Sequence, residues 1–331
     1  MRVGLVGCGS IAQVHAMILS KAENVDFVCM ADTNFQAAKE MADTYGGKPY
    51  SSLSAMLMEE EIDVLHICTP HALHTPMIAL AAEKGIQVFT EKPPVIDRKQ
   101  WDILKKAGQK VPIGICFQNR YNGNVKRVKE LLEANTLGAF LGARGIVTWN
   151  RPQNYYTDNS WRGSMEMEGG GALINQAIHT LDLLIHFLGR PNSIIADAKQ
   201  FHLKPPVEVE DSLTARIMYG EKPVVFYATT GNCIDSPVLI DLYFEQGSIR
   251  MENNNVVIKY QDGTEEKQEY IEPKSLGKSY WGHGHESCIL DFYAKMEEKK
   301  AAPIGIQEVE DTVDALLSIY ESAAKGEEII L

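Results

Sequence analysis

The chain has 331 residues, 45% of them hydrophobic, which exceeds one domain of ordinary size and supplies a full core, so two domains are expected. Acidic residues outnumber basic ones by 44 to 32, a net charge of -12 with no lysine or arginine run to track phosphates, which excludes nucleic acid as the expected partner. Apolar stretches such as LDLLIHFLG are short and broken by Asp182 and His186, too little to cross a bilayer, and the opening MRVGLVGCGS shows neither a basic leader nor a signal core.

The first third alternates β-branched runs with helical patterns. RVGLVG reads as a strand, followed by a helix from about Ser10, the strand VDFVCMAD and a helix through NFQAAKEMADTYG. Next come IDVLHICTP, a helix through HTPMIALAAEKG, the strand IQVFTEKP, a helix from about Asp97 to Gln109, and VPIGICFQ. Strands separated by crossover helices predict a doubly wound parallel sheet, because parallel neighbours cannot be joined by a tight hairpin.

Three places in this third carry chemistry. Gly7, Gly9 and Ala12 form a G-x-G-x-x-A turn between strand and helix. The first glycine allows the tight turn and the second lets backbone approach a pyrophosphate. The small third residue lets helix pack on strand, while the free amides of Ser10 and Ile11 at the helix start can hold the anion. Asp32 closes the second strand, where an acid can bond both ribose hydroxyls of NAD and repel the extra phosphate of NADP; the same position also suits a helix cap. Thr69, Pro70 and His74 end the next strand and border the expected path of the cofactor, with His74 equally suited to capping or packing. Glu91 and Lys92 end the strand after that, where both are expected to meet the reactive end of the cofactor. A lysine there can bond a substrate hydroxyl or carbonyl and stabilise a developing alkoxide, while a merely solvated lysine is the bland alternative.

After Asn119 the texture changes. A helix through NGNVKRVKELLEAN leads to AFLGARGIVTWN, a polar aromatic loop, and a helix from near Gly170. SIIADAKQFH, DSLTARIMY, PVVFYATTG, VLIDLYFEQ and VVIKYQDG then follow without helices, the pattern of a mostly antiparallel open sheet in an α+β domain. Two helices over about 285–325 are expected to pack back on the body. The domains are drawn at 1–119 for the dinucleotide and 120–331 for substrate and oligomerisation. In the tract WRGSMEMEGGGALINQAIHTLDLLIHFLG, Asn175, His179 and Asp182 fall at helical spacing and can share one side. His179 can act as acid or base near neutral pH, although a histidine among apolar residues is also a common core group. Arg151, Tyr155, Tyr156, Tyr280 and His283 lie in polar aromatic loops, candidates for holding a sugar or for surface packing.

Six cysteines without paired spacing fit reduced, buried thiols and a cytoplasmic location. HGHES with Cys288 matches no standard zinc spacing, so a structural or substrate-facing histidine pair is expected there and no metal centre.

Taken together, the glycine turn, EKP and GGGALINQAIHTLDLL resemble the Gfo/Idh/MocA family of dinucleotide-dependent oxidoreductases, over nearly the whole chain. The resemblance implies a Rossmann domain followed by an α/β domain whose open sheet often makes the oligomer interface, hence a homo-dimer or homo-tetramer. It also implies hydride transfer between NAD and a hydroxyl-bearing carbon of a sugar or polyol. Lys92 looks like the family's catalytic lysine and His179 like its histidine near the reacting hydroxyl. Asn119, Trp161 and Arg162 match positions that contact the cofactor in similar proteins. Many polyol dehydrogenases of the family carry aspartate where this chain has Asn175, which cannot hold a proton and is expected to orient substrate or His179. The tract from Asn154 to His179 looks similar to members acting on nucleotide-linked sugars, notably UDP-N-acetylglucosaminuronate 3-dehydrogenases. A polyol dehydrogenase, a reductase of another ketone or a non-catalytic dinucleotide sensor are the alternatives, since fold does not fix substrate.

Overall fold

The computed structural model describes residues 1–158, 161–270 and 284–331, which group into two units. The first holds Met1–Gln118 and, from later in the chain, residues 284–308; the second holds residues 119–270 and Val309–Leu331.

In the first unit six strands, Arg2–Val6 (β1), Asp26–Ala31 (β2), Lys48–Tyr50 (β3), Val64–Ile67 (β4), Gln87–Thr90 (β5) and Ile113–Ile115 (β6), form one sheet in the order β3-β2-β1-β4-β5-β6. Every adjacent pair is parallel. Helices Ser10–Leu19, Phe35–Tyr45, Leu53–Glu59, His74–Glu83 and Arg98–Gly108 make the crossovers that parallel pairing demands. With helices on both faces, the inner strands are apolar throughout: Val3, Leu5, Val64, Leu65 and Ile67 are fully buried. Side chains start two of the helices, Ser52 accepting from the Ala55 amide and Asp97 from the Gln100 amide at 2.7 Å. β3 and the helix Leu53–Glu59 lie beyond the sequence pattern, because Lys48, Pro49 and Tyr50 make a three-residue edge strand whose proline is tolerated only at a sheet margin.

Strand order reverses at β1, whose neighbours are β2 on one side and β4 on the other. At that switch point Gly7 turns the chain with φ +87°, and a Cβ on it would stand 2.6 Å from the Cys68 carbonyl oxygen, so only glycine fits between the ends of β1 and β4.

The second unit is built on nine strands: Phe140–Thr148 (β7), Ser193–Lys199 (β8), Ser212–Tyr219 (β9), Lys222–Thr229 (β10), Leu239–Phe244 (β11), Gly247–Glu252 (β12), Asn255–Tyr260 (β13), Glu265–Glu269 (β14) and Ile329–Ile330 (β15). Their order is β14-β13-β12-β11-β7-β10-β9-β8-β15, with β7 and β10 parallel and the other pairs antiparallel. Period-two alternation gives the sheet two unlike faces. Ala143, Val224, Phe226 and Leu242 are buried on one, where Gly145 leaves room for the Leu184 side chain of the helix Ile178–Leu188. Paired residues on the other face include Arg144, Asp241 and Val225, with Val225 left 55% exposed. Arg144 and Arg250 both donate to Asp241, at 2.6 and 2.8 Å, which satisfies a carboxylate that the two guanidinium groups otherwise cover.

Candidate active site

The glycine turn comes first in the chain and first in the geometry. The Gly7 amide donates to the Ala31 carbonyl at 2.9 Å, joining the ends of β1 and β2. Gly9 is exposed, with nothing within 4 Å of the place a Cβ would take, and the helix Ser10–Leu19 starts immediately after it. Ser10 is exposed, Ile11 half-buried and Ala12 fully buried under the strand. The turn thus offers open backbone, helix-start amides without intrahelical acceptors and no side chain in the way, the features an anion site needs. Asp32 lies half-buried at the end of β2 and takes amide hydrogens from Cys8 and Asn34, each at 2.7 Å. It therefore braces the glycine turn and the segment leading into the helix Phe35–Tyr45, whose N-cap is Asn34.

At the end of β4, Thr69 and Pro70 are half-buried, but His74 is withdrawn completely. Its ring nitrogens lie 2.7 Å from the Pro93 carbonyl and 2.8 Å from the Thr69 carbonyl, stapling the segment after β4 to the segment after β5. His74 thus packs the loops and does not itself line a path for the cofactor.

The pair that ends β5 has a buried foundation. Glu91 is almost fully buried, its Oε1 3.1 Å from His15 Nε2, and its Oε2 accepts the Lys92 amide hydrogen at 3.3 Å. His15 Nδ1 lies 2.9 Å from His66 Nδ1, and His66 Nε2 lies 2.7 Å from the Tyr293 hydroxyl. A carboxylate only accepts, so with one proton per ring the chain runs in one direction: Tyr293 donates to His66, His66 to His15 and His15 to Glu91. Burial alone would raise the Glu91 carboxyl, yet His15, His285 and Lys92 outweigh it and hold the group well below the usual carboxylate range. His66 is pushed well down by burial and by His15. Cys116 places its sulfur among the ligand atoms of His15 and Glu91, all within 4.8 Å. Burial pushes that thiol well up, which opposes the thiolate a metal would need. Lys92 itself is half-buried at the strand end.

In the second unit the helix expected from Gly170 begins with a wide π turn, Ala172–Ala177, and becomes α-helical over Ile178–Leu188. A Cβ on Gly171 would collide with the Glu210 carbonyl, so the glycine run admits β9's approach to this turn. Glu210 then caps it, accepting from the amides of Gly171 at 2.7 Å and Leu173 at 3.0 Å and from the Tyr320 hydroxyl at 2.9 Å. Asn175 and His179 are both half-buried. Asp182 is given over to packing: it is buried and accepts from Arg120 at 2.6 and 2.9 Å and from Thr312 at 2.9 Å, so it is corrected from a member of the predicted shared side to a structural acceptor. Asn175 instead donates to Glu168.

The aromatic loop residues gather into one stack. Arg162 lies over the rings of Tyr155 and Trp161, at 4.5 and 5.0 Å, and Tyr155 accepts from Gln176. Arg151 is buried and ion-paired to Asp235 at 3.0 Å, with its guanidinium over Trp149 and Tyr155, which makes it a support for the stack and takes it away from direct substrate contact. Tyr156 is buried against Leu203 and Val209. The Oδ1 of Asn119 is shielded from solvent with no hydrogen-bond partner among the described residues, an acceptor that a ligand hydroxyl or amide would satisfy. Tyr280 and His283 lie outside the described residues.

Residues 1–112 match the family described as "Oxidoreductase family, NAD-binding Rossmann fold", and residues 125–250 match the "GFO/IDH/MocA C-terminal domain". The chain belongs to the Gfo/Idh/MocA oxidoreductase family. Among curated relatives, D-glucoside 3-dehydrogenase of Escherichia coli (strain K12) is 28% identical over 61% of this chain, and inositol 2-dehydrogenase of Rhizobium meliloti (strain 1021) is 27% identical over 60%. The matches span 58% of each relative, less than two thirds of their length. Among solved structures, the WlbA dehydrogenase from Bordetella pertussis, in complex with NADH and UDP-GlcNAcA, superposes with a TM-score of 0.87 at 27% identity, covering 100% of this chain and 98% of that one. The glycine cradle, Asp32 and the orphan acceptor of Asn119 suit the NAD-binding fold of this Gfo/Idh/MocA chain.

The buried histidines of the first unit set an acid limit. Burial depresses His285 to about 4, so in the window between the ordinary histidine value and that one the unfolded chain binds the extra proton. Stability is therefore full above about pH 6.5 and falls by on the order of 3 kcal/mol as pH drops to 4. His66, also depressed, adds to the fall from the ordinary histidine value downward, and Glu91 adds to it below the ordinary carboxylate value. Urea titrations at pH 7 and pH 4 are expected to show that fall in wild type and a clearly smaller one in His285→Asn; equal pH slopes would refute the assignment.

Proposed function

We propose that this chain is an NAD-dependent dehydrogenase acting on a secondary alcohol of a sugar, with a nucleotide-linked sugar acid as the preferred class. The observation that carries the reading is Lys92 at the end of β5, backed by the buried Glu91–His15 pair, on the same carboxyl edge of the sheet as the glycine turn and Asp32.

Gly7, Gly9 and the amides of Ser10 and Ile11 hold the pyrophosphate and Asp32 the adenosine ribose, and the acid's charge disfavours the 2′-phosphate of NADP. Bound NAD supplies the hydride acceptor. His179 takes the proton of the reacting hydroxyl, and the Lys92 ammonium stabilises the negative charge that develops on its oxygen. The reading requires one carbinol to meet both side chains. Asn175 orients that carbinol, and Tyr155, Trp161 and Arg162 offer an aromatic and cationic wall to the ligand. The likeness to WlbA, whose solved complex holds NADH and UDP-GlcNAcA, supports the nucleotide-sugar class, while the inositol relative supports a polyol as the second reading.

Self-association belongs to the same proposal. Val225 and Tyr243 stand exposed on the outer face of the nine-stranded sheet beside the Arg144–Asp241–Arg250 cluster, an apolar and charged surface suited to a second copy.

Two measurements test these statements. With the purified chain and NAD, near-ultraviolet absorbance is to be followed across UDP-linked sugar acids, free sugars and inositols. A UDP-sugar acid is expected to exceed its free sugar by roughly tenfold or more in kcat/KM, because the nucleotide adds remote binding energy. Preference for inositols would select the second reading, and no turnover with any alcohol would sink both. Small-angle scattering is expected to return the mass of a dimer or tetramer, and a monomer mass at working concentration would end the self-association proposal.

A further inference from the structure

Glu168 ends the short helix Met165–Glu168 and is wholly buried. Its Oε2 accepts the Gly163 amide hydrogen at 2.6 Å, and its Oε1 accepts a hydrogen from Asn175 Nδ2 at 2.5 Å. A buried carboxylate needs such donors. The consequence for Asn175 is more specific. A carboxylate can only accept, so the Asn175 NH2 is turned toward Glu168 and its carbonyl oxygen lies on the opposite side of the amide. Without Glu168 the two ends of the amide are nearly equal in shape, and the residue could offer a donor or an acceptor.

We propose that Glu168 is the positioning residue of this site, locking the Asn175 amide so that Asn175 meets the substrate as an acceptor of a hydroxyl proton. The proposal rests on the reading that Asn175 and His179 face the reacting carbinol, and adds to it how the orientation of Asn175 is set. Glu168 acts through Asn175 and does not itself touch substrate.

The lock responds to pH. Burial pushes the Glu168 carboxyl up to about 7, while the Gly163 amide, Asn175 and Arg162 pull it down and Glu210 adds to the upward push. Among the described residues Tyr156 and Tyr320 also feel its charge, and burial keeps both neutral, their hydroxyls raised. With Oε2 still accepting from the Gly163 amide, the proton is carried on Oε1, which then donates to the Asn175 carbonyl, so the amide reverses and presents its NH2 instead. The acceptor state of Asn175 is thus held above about pH 7 and lost below it.

The test uses the alcohol that the wild type oxidises with NAD. Glu168→Gln keeps the volume, but with its carbonyl oxygen held by the Gly163 amide it turns its NH2 toward Asn175 and so reverses the polarity offered to that amide. It is expected to lower kcat/KM by about tenfold to a hundredfold, the scale of a small misplacement of a reacting group, with NADH affinity unchanged. The ionisation near pH 7 is expected to vanish from its kcat/KM profile. Asn175→Asp alone places two carboxylates against each other and is also expected to lose activity. The double variant Glu168→Gln/Asn175→Asp restores a donor facing an acceptor and is expected to recover at least about tenfold of the loss. Should Glu168→Gln fail to fold, the double variant decides by itself: folded and active supports the lock, folded without recovery overturns it. A Glu168→Gln enzyme with wild-type kcat/KM and pH profile also overturns it. A wild type that oxidises no alcohol fails before any variant is made; it sinks the dehydrogenase reading, and the proposal falls with it.

Discussion

The contact between the buried Glu91 carboxylate and His15 is the constraint on which the first unit's chemistry depends. A carboxylate taken out of water is costly unless it is paired and hydrogen-bonded, and breaking such a pair from one side costs roughly 3–5 kcal/mol. That cost fixes where the two residues stand. His15 rides on the helix that opens with the glycine turn, and Glu91 ends the strand that presents Lys92, so their hydrogen bond ties the glycine turn to the lysine. His66 and Tyr293 extend the tie across the sheet into the helix His285–Glu297, which explains how a histidine can occupy the middle of an otherwise apolar parallel strand.

The second unit uses the same device twice. Glu210 gathers orphan amides at the start of the turn that carries Asn175, and Glu168 takes the Asn175 side chain. Both carboxyls are raised by burial, the opposite of Glu91, because neither has a close cationic partner equal to its desolvation. Each unit thus supports its candidate residues with buried acids, and these differ in charge state: one in the first unit kept ionised beside a lysine, two in the second raised beneath an amide and a helix start.

How much of this is legible in the sequence follows from distance along the chain. The glycine turn, Asp32 and the Glu91–Lys92 strand end are local patterns, and each lies where strand and helix periodicity put it. The parallel and mostly antiparallel sheets follow from whether helices intervene between strands. The partners of Glu91 sit at positions 15, 66 and 293, and no local pattern links them. His15 carries one sequence signal, a polar residue on the apolar side of a short helix. The π turn over Ala172–Ala177 breaks the regular helical spacing on which Asn175 was placed, and Asp182 is taken by Arg120 and Thr312, partners far from it in the chain. His74 and Arg151 turned inward because carbonyl oxygens and Asp235 were within their reach, contacts that charge and loop position alone do not specify.

The account centres on Lys92 as a group used for chemistry and not for holding the dinucleotide. Its most direct test is to measure, on one preparation of Lys92→Ala, both NADH binding by fluorescence titration and turnover of the best alcohol with NAD. The account predicts NADH affinity within about threefold of wild type and a fall in kcat of roughly a hundredfold or more, the scale of removing a group that stabilises a developing oxyanion. Turnover close to wild type, or dinucleotide binding lost together with activity, would contradict it.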